Sequence, residues 1–93
     1  MKKALALTSI MAAAVTGCAT GPTPIPDAGS PAARLYVSKC GLCHPLPHPK
    51  RNSYREWQHL LALMQQRMAE RGMPVLTGEE KETLLGYLQR HAR

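Results

Sequence analysis

The chain is poor in the residues from which small proteins build a core. Its 93 residues include no phenylalanine, and aromatic side chains make up only 4% of them. A chain this short buries little surface and needs a staple beyond its apolar side chains. There is no Lys/Arg-rich run, although the formal net charge is +6, and this argues against nucleic acid as a partner. The apolar stretch from Ala4 to Val15 is too short to cross a bilayer.

Against these absences stands Cys40-Gly41-Leu42-Cys43-His44, the CxxCH form of a c-type haem attachment site. Each of the two thiols can add to one vinyl group of a haem, and the two-residue spacer lets both sulfurs reach one edge of the ring. His44 then falls beneath the porphyrin, where its imidazole can ligate the iron. Other uses of CxxC need features missing here. A thioredoxin-like pair sits in a βαβ setting, and no strand-like alternation follows. A structural zinc site needs four ligands, and only His48 and His59 lie nearby, without a second ligand pair. A chance match would leave two free thiols in what reads as an exported protein.

The export reading comes from the N-terminus. Met1-Lys2-Lys3 is a positive n-region, and Ala4 to Val15 is an apolar h-region of signal-peptide length. Val15-Thr16-Gly17-Cys18 resembles the lipobox of bacterial lipoproteins, in which the cysteine is acylated and becomes the first residue. Residues 1–17 are therefore expected to be a lipoprotein signal peptide, with Cys18 carrying the lipid. The alternative, an ordinary secretory peptide, leaves Cys18 as a spare thiol. Cysteine arithmetic favours the lipid: two thiols for haem, one for the anchor. Without Lys2 and Lys3 the net charge falls from +6 to +4. This moderate basic balance suits a redox partner with an acidic docking face, or a position near anionic lipid. Ala19, where many inner-membrane lipoproteins carry Asp, implies by resemblance to those sorting signals the outer rather than the inner membrane, on its periplasmic side.

Residues 18–30 read as a Pro/Gly-rich tether with no role beyond spacing. The domain proper is expected over residues 31–93. Ser30-Pro31 marks a helix start, and this first helix runs through Leu35 and Tyr36 into the CxxCH turn. Tyr36 is expected in the core, on the haem or on the last helix. Pro45, Pro47 and Pro49 then block helix, and this segment should wrap the proximal side, with one of its carbonyls accepting the second ring proton of His44. His48 reads as an exposed loop residue. Ser53 to Glu56 is a capping box, followed by the stripe Trp57, Leu60, Leu61, Met64 and Met68 and by a cap at Gly72. Thr77 to Glu80 is a second capping box, opening a helix that turns Leu84, Leu85, Tyr87 and Leu88 inward. Gly86, in mid-helix, is expected to permit a close approach to the first helix.

Three helices with CxxCH ending the first, and a Met-bearing segment before the last, resemble the small class I c-type cytochromes, over about residues 31–93. The pattern is closest to short periplasmic members: Cys40, Cys43, His44, Pro47, Pro49, Trp57, Met64, Met68, Gly72, Tyr87 and Leu88. The resemblance implies an all-α fold around one haem c, His/Met ligation and electron transfer. Met64 has the implied spacing from Trp57 and is taken as the distal ligand. Met68, better spaced to Gly72, and Met73, in a Met-Pro loop, are the alternatives; the methionines that do not ligate pack on the porphyrin. His59 lies off the stripe. The expected function is a lipid-anchored electron carrier rather than an enzyme. A haem sensor or gas-binding module, and the haem subunit of a periplasmic dehydrogenase, are the competing readings.

Overall fold

The structure is a computed structural model that describes residues 23–93. The signal peptide expected over 1–17, Cys18 and the first part of the tether lie outside the described residues. Those described are all-helical, with no strand: α1 (Pro31–Cys40), a 3-10 turn (Pro49–Arg51), α2 (Tyr54–Glu70) and α3 (Gly78–His91).

Local chemistry accounts for where the helices start. The Ser30 hydroxyl accepts the Ala33 N–H at 3.1 Å, and Pro31 occupies the first turn of α1. The Ser53 hydroxyl accepts the Glu56 N–H at 3.2 Å. That box is only half formed, because the Glu56 carboxylate takes the Ser53 hydroxyl and the Arg93 guanidinium instead of the cap backbone. At α3 the box is complete: the Thr77 hydroxyl accepts the Glu80 N–H at 3.1 Å, and the Glu80 carboxylate accepts the Thr77 N–H at 3.0 Å. The Thr77 N–H, with the Lys39 ammonium 3.3 Å away, holds the Glu80 carboxyl below its ordinary range.

The ends of α1 and α2 each depend on a glycine. The Gly41 N–H bonds the Val37 carbonyl at 3.2 Å. A Cβ on Gly41 would stand 2.9 Å from that same oxygen, so no other residue could turn the chain there without a shift. Gly72 has φ +68°, its N–H bonds the Ala69 carbonyl at 3.1 Å, and the Met73 N–H bonds the Met68 carbonyl at 2.9 Å. This pair of bonds is a Schellman cap, which uses glycine's access to left-handed backbone.

Helix α3 is the hub, packing on α1, on α2 and on the 3-10 turn. Its Leu84, Tyr87 and Leu88 meet Ala33, Tyr36 and Cys40 of α1 and Trp57 and Leu61 of α2, with Leu76 from the preceding loop. Leu85 is half-buried against this cluster. Tyr36 lies against Tyr87, ring centroids 5.3 Å apart, and meets Trp57 edge-on at 6.2 Å. Burial pushes the Tyr36 hydroxyl well above its ordinary range and raises that of Tyr87.

Three expectations need correction. Gly86 does not make room for α1: the nearest atom to a Cβ there is the Arg90 guanidinium of its own helix, at 3.4 Å. His48 is half-buried, and its Nδ1 accepts the Lys50 N–H at 3.1 Å, so it caps the 3-10 turn. The end of the tether is held against the domain. Tyr87 Oη donates to the Pro26 carbonyl at 2.9 Å, Ile25 packs on the core, and Ser30 N–H closes a turn on the Asp27 carbonyl at 2.8 Å. Asp27 adopts φ +49°, left-handed backbone that aspartate tolerates better than most residues. Its carboxylate lies 3.1 Å from His91 Nε2, in an approach that does not align a hydrogen bond.

Candidate functional site

Helices α1 and α2 share no backbone neighbours. Between the end of α1 and the C-terminal half of α2 a cavity of about 250 Å³ opens, roofed by the 73–76 loop. Lys39, Cys40, Leu42, Cys43 and His44 line one side, and Leu61, Met64, Arg67, Met68 and Arg71 the other, with Met73 and Leu76 from the loop. Cys40, Cys43 and His44 of the CxxCH motif and all three candidate methionines thus line one cavity, although residues 44 and 64 belong to different elements. His59 is exposed on α2 and does not line it.

The two cysteines are placed differently. Cys40 ends α1 on its buried face, 6% exposed, and burial pushes its thiol up to about 11. Cys43 is exposed beyond the Gly41 turn, with Arg71 Nη1 3.7 Å from its sulfur. Both sulfurs are free.

His44 is exposed, and its Nδ1 lies 3.0 Å from the Pro45 carbonyl oxygen. A carbonyl only accepts, so Nδ1 carries the proton and Nε2 keeps its lone pair. This is the tautomer a metal-ligating imidazole needs, fixed by a backbone acceptor.

The Pro45–Pro49 segment is held by two buried aromatic donors. Tyr36 Oη donates to the Pro47 carbonyl, and Trp57 Nε1 donates to the Pro49 carbonyl at 2.7 Å. Each proline withholds a backbone N–H but keeps its carbonyl, so side chains from α1 and α2 can fasten a stretch that no ladder could. The segment that positions His44 is therefore tied to the same core as the cavity walls.

The chemistry of the lining fits a haem: an apolar groove of leucines and methionines, two thiols on one rim, and an imidazole with a free nitrogen. Arg67, Arg71 and Lys39 add cations at the rim, of which Arg67 pairs with Glu70 at 3.0 Å and Lys39 with Glu80. The sequence reading missed these cations, the part of Leu42 and Leu76 in the lining, and the turn-making role of Gly41. Of these, Gly41 had a sequence signal, a glycine directly after a helix end. No helix among the described residues is long and apolar enough to cross a membrane. No protein-family model, curated protein or solved structure matches the chain.

Proposed function

We propose that this chain is an electron-transfer protein of class I cytochrome c type, carrying one haem c and tethered by lipid to the periplasmic face of a bacterial membrane. The observation that carries the reading is the single cavity on which Cys40, Cys43, His44 and the three methionines converge. The bound haem supplies one-electron exchange between ferrous and ferric iron, and the protein sets its potential.

The chain's own residues do the rest. Cys40 and Cys43 hold the group through thioethers at the end of α1. His44 presents Nε2 while Pro45 fixes its ring, and Tyr36 and Trp57 hold the segment that carries that carbonyl. Met64 offers a neutral, soft thioether, a ligand that favours the ferrous state; Met68 and Met73, half-buried on the same cavity, are the alternatives. Leu61 and Leu76 keep water from the inner wall. The reading is that of a carrier with a redox protein as partner, not of an enzyme.

Optical spectra of the haem-loaded chain, ferric and ferrous, with and without carbon monoxide, test the ligand set. The wild type should show a sulfur-to-iron charge-transfer band when ferric and bind carbon monoxide slowly or not at all. Met64→Ala should abolish the band and open the iron; if Met68→Ala or Met73→Ala does so instead, only that assignment moves. Rapid carbon monoxide binding by the wild type would put the sensor reading ahead of the carrier.

A further inference from the structure

A second, larger cavity lies away from the haem site. This shallow groove of about 480 Å³ runs between the end of the tether, α1 and the loop after His44, and its apolar lining includes Ile25, Val37, Pro45 and Leu46. Val37 is 48% exposed on a helix whose neighbouring faces are packed, and no described residue covers it. Arg34, one turn earlier on the same helix and likewise exposed, forms no ion pair among the described residues.

The groove's position says what covers it. A free tether from Cys18 to Pro31 could hold the domain about 45 Å from its anchor. The tether is not free along its whole length. Pro26 is bonded to Tyr87, Asp27 lies against His91, and Ile25 packs on the core. Only five Cα–Cα steps, from Cys18 to Thr23, remain between the lipidated position and the groove's own edge, a reach of about 17 Å at most. Whatever surface Cys18 is anchored in must lie within that reach of Thr23, on the edge of the groove that holds Ile25, Val37 and Leu46.

We infer that this groove is a seat on the phospholipid bilayer. Ile25, Val37 and Leu46 rest in the interfacial layer, and Arg34, one turn before Val37 on α1, meets anionic headgroups. The seat rests on the reading of Cys18 as the acylated residue. Its consequence is that the domain is oriented on the membrane, not swinging from it.

The test uses the full haem-loaded chain in vesicles of phosphatidylethanolamine and phosphatidylglycerol, with the Cys18→Ser chain in buffer as reference. Hydroxyl radicals from water radiolysis report exposure residue by residue, and the mass of the N-terminal peptide reports acylation. Val37 and Leu46 should be modified several-fold more slowly in vesicles, while Leu63 and Val75, equally exposed but outside the groove, keep their rates. An acylated chain whose Val37 reacts as fast as in the reference overturns the seat and leaves the anchor standing. A chain without acyl mass at Cys18 overturns both. Protection of Val37 in the reference that grows with protein concentration assigns the groove to a second copy and likewise overturns the seat.

Discussion

Exchanging both Cys40 and Cys43 for alanine should leave a chain that fails to fold cooperatively. Among the described residues the buried apolar set is nine, one of them Cys40 itself and one Ala33. A core of this size supplies at most about 3–5 kcal/mol against chain entropy. Without the covalent group, Leu61, Leu76 and the three methionines would face the open cavity between the end of α1 and α2. Far-UV circular dichroism and a thermal melt check this. The wild type should melt in one sharp transition, and the double variant should show weak helicity and no transition. Equal melting of the two would mean that α3 alone organises the fold.

The second large effect is expected at Trp57. It is 2% exposed, spans from α2 to the Pro49 carbonyl and meets Tyr36 edge-on. Trp57→Ala should cost about 3–5 kcal/mol through the cavity it leaves. In a domain of this size each kcal/mol moves Tm by about 4–8 °C, so the melt should fall by more than about ten degrees. Trp57→Phe retains most of the packing but leaves the buried Pro49 carbonyl unpaired, at about 1–3 kcal/mol. The ordering matters more than either value. If the Phe variant is as stable as wild type, the hydrogen bond does not hold the proline segment. If it is as unstable as the Ala variant, that bond outweighs the packing. Loosening here should also reach His44, because its ring acceptor, Pro45, lies in the same segment.

The features legible in the sequence are those whose physics is local. Ser30, Ser53, Thr77 and Gly72 each act within four residues, and each caps the helix end that the sequence assigns to it. The three-helix order and the end of α1 at Cys40 follow from such signals. Pairings across the fold were not legible. Prolines announce that helix is blocked between residues 45 and 49, but not that Tyr36 and Trp57 would bond their carbonyls from two different helices. The tether's composition says spacer, yet Tyr87 bonds Pro26 across 61 positions, a contact that no periodicity encodes. Gly86 shows the opposite error: a mid-helix glycine suggests a close neighbour, and here its nearest neighbour is a flexible side chain of its own helix. At the site, the stripe on α2 was readable from spacing. Its facing the CxxCH turn across a gap depends on α3 holding the two walls apart.

Covalent haem is the central expectation, and acid-acetone extraction of the mature chain, produced with the c-type maturation machinery, tests it most directly. The haem should stay with the protein, with a reduced α band at the position of a haem joined by two thioethers to Cys40 and Cys43. Haem released into the acetone, or a stable helical wild-type chain that takes up no haem at all, would contradict it.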